Sequence, residues 1–507
     1  MHMKRLHLYI SLVCLSVATS CKKDMLDTGP TAASENAAIF TTTANATNVI
    51  NGIYRYLFNR YDAQNMPGHG GMMLNLDFMG EDLHQATSTW YTSAANGTGG
   101  WVSHKSDASS WVAYPFRLYY RCIGNANALI ENIDAASGTD ADKKRLKAEA
   151  LTMRAWSYFN LVQLFGKRYA AGAVNSQPGV SMPLKTLDIK LPRSTVEEVY
   201  TQINKDLDEA MMLFSDGTSL PVGLSASATN VKSHLSLPAA RAIKARVALA
   251  QQNYTVAANY AKMVIDGGPY TLMSNAQYGE GFNNIANPEW IWGVFMQDDQ
   301  GDTFGSYHAQ ISWDGNTTYI RGRPKRINSA LYAQISNTDV RKKMWEPSPN
   351  ATNFPLSATS YVRENFMSRK FKTRASPTIG DVPYIRLAEI YLMLAEAYAR
   401  TPGKEADARA TLFTLAKNRD AGYTLSTNSG QALINEILTQ RRIELWGEGF
   451  RFFDLKRLNL PLDRTTVPNF VSASVGNVMQ IPAGDNRWQF AIPIAEIQAN
   501  PNSSQNQ

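Results

Sequence analysis

The sequence predicts a mainly α chain: a scaffold of tetratricopeptide-like helix pairs that carries long, loop-rich excursions and a few short strands. Three observations lead there. Apolar residues recur at helical spacing in several separate stretches, and short turn signals join those stretches into pairs. Residues 64–115 and 267–383 are rich in Gly, Asn, Ser, Thr, Pro and aromatics and show few helical periods. Inside the second stretch, Glu289 to Gln297 is an apolar run bounded by Asn287-Pro288 and Asp298-Asp299, the pattern of a buried strand.

The helices follow in order. Leu151, Ala155, Tyr158, Val162 and Phe165 fall on one helical face, and Gly166 ends the run. Ser236 is a capping residue with Pro238 in the first turn of a helix that passes Ile243 and Val247 and ends near Ala250. Val256, Ala257, Tyr260, Ala261 and Val264 mark the next, stopped by Gly267-Gly268-Pro269. Two helices joined so closely lie antiparallel. The clearest helix is 386–400, where Leu387, Ile390, Tyr391, Leu394, Ala395 and Tyr398 form one face and Ala388, Leu392 and Ala399 widen it. Thr401-Pro402-Gly403 breaks it, and Ala408, Leu412 and Leu415 point inward from its partner. Alanines against aromatics resemble tetratricopeptide pairs, without the strict consensus. A non-repeating α-bundle with similar packing is the alternative.

With 44% hydrophobic and 18% charged residues the body is globular. The formal charge is +7, Lys4 and Arg5 supply two of those charges, and the rest form no basic stripe, so nucleic acid is not an expected partner. Residues 1–20 have the layout of a secretory signal: Lys4 and Arg5, an apolar run from Leu8 to Ala18, then Thr19 and Ser20. That run is too short to span a bilayer, and no other segment is long and apolar enough. Cys21 follows, in an arrangement that resembles the lipobox of bacterial lipoproteins, with Ala18 where that pattern prefers Leu. Cys21 is therefore the expected lipidation site, residues 21–45 a polar tether, and 46–507 the body. Of the other two cysteines, Cys14 leaves with the signal and Cys122 sits in an apolar context, as a small core residue does.

The run from Arg441 through Ile443-Glu444-Leu445-Trp446-Gly447-Glu448-Gly449-Phe450 to Arg457 closely resembles the signature of the SusD/RagB family. Tyr384-Ile385-Arg386-Leu387-Ala388-Glu389, Met153-Arg154-Ala155-Trp156 and the tail Ile492-Pro493 with Asn500-Pro501-Asn502 look like further family motifs. The resemblance runs from end to end. It implies an N-terminal part of about 46–270 and a C-terminal part of about 271–507, built on four helix pairs. It also implies a lipoprotein of the outer membrane, facing the cell exterior, that captures a glycan or sometimes a peptide. A TonB-dependent SusC-like barrel transporter is the implied partner.

The signature is rich in charge, and its simplest reading is structural. Arg441 could pair with Glu444, and Glu448 with Arg451 or Arg441, along one helix. No catalytic residue, metal site or cofactor is expected. His69, His84 and His104 fall in one loop-rich region without metal-ligand spacing, and the nucleophile-elbow and phosphate-loop motifs are missing. Glu81 and Asp82, adjacent in sequence, do not suggest a glycosidase pair ~5–10 Å apart. A solvated turn or a ligand hydrogen-bond site fits them better. A secreted hydrolase is thus the weaker alternative, and a scaffold for protein partners only is a third. For ligand binding, aromatics set in polar loops are the candidates: Trp90, Tyr91 and Trp101 in one stretch, and Tyr307 and Trp313 in another that also holds Phe304 and His308. Trp111, Trp290 and Trp292 read as core.

Overall fold

A computed structural model describes residues 39–93, 97–215, 220–225, 228, 230–350 and 361–506. Cys21 and most of the expected tether lie outside the described residues. The architecture is mainly helical with a few short strands. Helix α1 (Thr43–Tyr56) is capped by the Thr42 side chain, which accepts from the Asn45 backbone. It is followed by α2 (Gly68–Met79), β1 (Leu83–His84), α3 (Ser110–Asn132) and α4 (Asp140–Phe165). A hairpin of β2 (Pro178–Ser181) and β3 (Arg193–Thr195) leads into α5 (Val196–Ser215), α6 (Leu237–Ala250) and α7 (Tyr254–Gly267). The second excursion holds β4 (Trp290–Val294), β5 (Arg326–Ile327), β6 (Trp345–Glu346), β7 (Met367–Ser368) and β8 (Val382–Arg386). Helices α8 (Leu387–Ala399), α9 (Glu405–Arg419), α10 (Gly430–Glu444) and α11 (Arg451–Arg457) follow. The small pair β9 (Leu462–Asp463) and β10 (Gln480–Ile481) comes next, and a short helix, Ile494–Ala499, follows it.

From α3 to α9 the long helices form a row, each packed on the ones before and after it, and α10 packs chiefly on α8. That is how helical repeats stack, and it favours divergent repeats over a closed bundle. Ser236 caps α6 as its sequence predicts, accepting from the Ala239 backbone with Pro238 in the first turn. Helix α7 packs directly on α8 although more than a hundred residues separate them. The excursion is inserted between neighbours in the row. Its strand β4 pairs antiparallel with β8, and a separate antiparallel sheet runs in the order β1-β5-β7-β6. The predicted strand is β4, and Trp290 and Trp292 are buried in it, as are Trp111 and Cys122 in α3.

Residues 64–115 are less irregular than the sequence suggests, because they contain α2. Every residue of α2 is buried, including the polar His69, Asn75 and Asp77. A helix enclosed on all sides shows no apolar stripe, so its period is invisible in sequence. Its C-terminal carbonyls are met by a cation: the fully buried Arg464 donates to Phe78, Met79 and Gly80 oxygens at 3.0–3.2 Å. Burial pulls the Arg464 guanidinium down to about 9, and the negative end of α2 favours its charge.

Most of the signature charges are buried, and apart from Asp454, which pairs with Arg441 and Arg457, their carboxylates find partners distant in sequence. Glu444 receives Arg386 at 3.1 Å, Arg419 at 3.1 Å and Arg341 at 3.3 Å. Glu448 binds Arg386 and Lys370, each at 2.7 Å, and Glu289 binds Arg419 at 2.6 Å and also Arg386. Burial alone would raise the Glu444 carboxyl, but Arg419, Arg386 and Arg341 hold it well below the carboxylate range. Arg441 pairs with Asp454 at 2.8 Å, not with Glu444. Glu81 and Asp82 are neither solvated nor ligand-facing: both are 5% exposed, Asp82 is bound by Arg442 at 2.5 Å, and Glu81 by Arg451. Glu448 cannot pair along the helix because α10 ends at Glu444 and the chain turns through Gly447 and Gly449, both at positive φ (83° and 85°). A Cβ at Gly449 would stand 2.6 Å from the Met73 Cα, so only glycine lets this turn approach α2.

A buried ion network resists the loss of one member, because the others keep uncompensated charge. The Glu444→Gln protein should therefore be less stable by ~3–5 kcal/mol in urea unfolding. A loss under about 1 kcal/mol would mean that the arginines find other partners.

Candidate functional site

Strand β1 runs directly into the loop that carries Trp90. Gln85, fully buried, anchors that loop: its amide nitrogen donates to the Tyr319 hydroxyl at 3.2 Å and to the Arg323 carbonyl at 3.0 Å, and its oxygen accepts from the Thr89 hydroxyl at 3.0 Å. The Thr89 backbone N–H bonds the Thr92 hydroxyl, closing a turn with Trp90 at its tip. Tyr319 comes from a short helix, Thr318–Gly322, capped by Thr317.

The two rings meet face to face, with centroids 5.4 Å apart and planes 18° from parallel. Trp90 remains 44% exposed. Together they floor a cleft of about 520 Å³ whose other lining residues are Ser88, Thr89, Ser93, Thr318 and Arg323. The Lys325 ammonium lies 3.9 Å from the Tyr319 ring centroid. An exposed aromatic floor with hydroxyls and one guanidinium at its rim can hold a flat, hydroxylated molecule. Among the described residues the lining holds no carboxylate.

Of the five aromatics predicted from sequence, only Trp90 lines this cleft. Tyr91, Trp101 and Tyr307 are core residues, 0–2% exposed, and this corrects their assignment to a ligand surface. Each buries its ring and spends its polar tip on a backbone carbonyl: Tyr91 on Asn65, Trp101 on Met79, and Tyr307 on Gly447. Trp313 is half-buried, 5.9 Å from the Arg369 guanidinium, and lies outside the cleft. Phe304 is exposed but lies elsewhere, and His308 is buried against the Asp381 carbonyl. Sequence reasoning missed Tyr319 and Arg323. The signal was present, since Tyr319 follows Asn316-Thr317-Thr318 in the same polar excursion. The three loop histidines are buried among separate partners: His69 against Trp156, His84 against Phe470, and His104 against Phe490. Among the described residues no three His, Cys, Asp or Glu side chains cluster to hold a metal ion, and no helix is long and apolar enough to cross a membrane.

These placements separate two tryptophans by role. Trp101→Ala should cost ~3–5 kcal/mol of stability, as for a large buried ring. Trp90→Ala should stay within about 0.5 kcal/mol of the parent. Thermal unfolding of both checks this, and equal losses would show that Trp90 is also structural.

Comparison with known proteins agrees with this architecture. Residues 26–249 match a family model described as SusD-like, starch-binding and associating with the outer membrane, and residues 246–507 match the SusD family model. A SusD-like protein, P25, of Formosa agariphila is 24% identical over 452 residues, covering 77% of each chain. A SusD-like carbohydrate-binding protein from Bacteroides vulgatus superposes with a TM-score of 0.74 at 26% identity, covering 92% of this chain and 98% of that one. A SusD superfamily protein from Bacteroides thetaiotaomicron gives 0.76 at 25% identity, covering 92% of this chain and all of the other. The SusD family groups non-catalytic glycan-binding proteins, and this chain belongs to it.

Proposed function

We infer that this protein captures glycans at the outer membrane and passes them to a TonB-dependent SusC-like transporter. The observation that carries the reading is the Trp90–Tyr319 floor, half open to solvent and ringed by hydroxyls. Sugar rings present flat C–H faces that pack on such aromatics, while their hydroxyls bond Ser, Thr and Arg side chains at the rim. Family membership supports the glycan class. Attachment through lipid on Cys21, with the body facing the cell exterior, belongs to the same proposal. It rests on the signal layout of residues 1–20 and the lipobox-like sequence. Capture of peptides by the same cleft is the alternative.

Electrophoresis through gels containing single polysaccharides tests the cleft. One or more neutral or acidic polysaccharides should retard the parent protein, and Trp90→Ala and Tyr319→Ala should weaken that retardation about tenfold, the loss of ~1.4 kcal/mol of stacking. Retardation unchanged in both variants would exclude this cleft. Membrane fractions carrying the tagged protein should co-purify a barrel transporter and lose it when Cys21→Ser releases the protein; association with no barrel would exclude the partnership.

A further inference from the structure

The cleft sits on an unusually basic segment. Arg321, Arg323, Lys325 and Arg326 fall within six residues, directly after Tyr319. Among the described residues, the one ion pair of this segment joins Arg326 to Glu364, at 3.9 Å. Arg323 is exposed at the rim of the cleft and Arg321 lies 5.4 Å over the Tyr361 ring. Lys325 is 3% exposed, and its ammonium meets one carbonyl, that of Arg323 at 3.1 Å, and the face of Tyr319. Among the described residues, no lining residue is acidic.

This contrasts with five other buried arginines, although Arg464 and Lys456, like Lys325, meet only backbone carbonyls among the described residues. Arg154, Arg341, Arg386, Arg419 and Arg457 all have buried carboxylate partners. Among the described residues, Arg321, Arg323 and Lys325 beside Tyr319 have no carboxylate partner. Burial and the neighbouring Arg323 push the Lys325 ammonium well below its ordinary range, the state of a cation that lacks an anion. A neutral sugar would leave that imbalance in place, whereas an anionic one would relieve it.

We propose that the cleft selects anionic glycans, with a uronate carboxylate or a sulfate ester against Arg323 while the sugar ring lies on Trp90. This deepens the glycan-capture reading and rests on it. The anion's charge acts on Arg323 directly and on Lys325 through the Tyr319 ring. Part of the attraction is exposed, so it weakens as salt rises past the ~10 Å screening length of 0.1 M solution.

The test compares matched polymers on the whole protein. Polygalacturonate is paired with its methyl ester, which keeps the backbone and removes the charge. Carrageenan is paired with agarose to read sulfate in place of carboxylate, and poly-L-glutamate supplies the anion without a sugar. At low salt one acidic polymer should be held roughly tenfold more tightly than its neutral partner, the value of one charge-assisted contact. Arg323→Gln, which removes the charge and keeps a hydrogen-bonding side chain, should cut that binding about two- to fivefold and weaken neutral polymers less. Trp90→Ala should weaken both. Equal, Trp90-dependent binding of the acidic and neutral partners, indifferent to Arg323→Gln, would overturn the anion preference and leave glycan capture standing. Trp90-independent binding of the acidic polymers would reduce the effect to general charge attraction and overturn it too. Poly-L-glutamate bound as tightly as the acidic polysaccharides, or no Trp90-dependent polysaccharide binding at all, would overturn both readings.

Discussion

Burying an ion is expensive, and this protein buries many at one junction. Glu289, Glu444 and Glu448 are enclosed with Arg341, Arg386, Arg419 and Lys370 where the start of β4, the end of β8 and the ends of α9 and α10 converge. Compared with apolar side chains of similar volume, such a network adds little net stability. Its effect is on geometry. Each carboxylate meets cations from different elements, so a helix in the wrong register would strand a charge in the core. The inserted excursion is thereby locked to the helical row at one defined place.

The same signature reaches the N-terminal half. Arg442 and Arg451 bind Asp82 and Glu81, and the Trp446 indole donates to the Asp82 carbonyl at 2.8 Å. Asp77 in α2 accepts from the Gly449 backbone at 2.9 Å. Burial pushes the Asp77 carboxyl up to about 7, against the lowering effect of the Gly449 and Arg451 N–H groups. These contacts fix α2 and β1, and β1 delivers Gln85, which holds Tyr319 beneath Trp90. The signature shapes the candidate cleft, and none of its residues lines it.

Much of this was legible in the residues. Paired helices such as α6 with α7 and α8 with α9 announce themselves because one face of each is apolar and their turns are short. Strand β4 stands out through its turn-bounded apolar run. Helix α2 does not, since complete burial erases periodicity. The charge partners could not be read either: Arg442 and Asp82 lie 360 residues apart, and only the fold brings them together. The aromatic candidates failed for a related reason. A polar loop sequence says that an aromatic is near the surface, not which way it points. Trp90 and Tyr91 are neighbours, and the turn sends one outward and the other into the core.

The central claim is that the signature's charges hold the loop under the ligand cleft in place. Native-state hydrogen exchange on the Arg442→Gln protein tests it most directly. The account predicts faster exchange confined to residues 83–93 and their β5 partner, with α6 to α9 as protected as in the parent. Unchanged protection at 83–93, or an even loss over the whole chain, would contradict it.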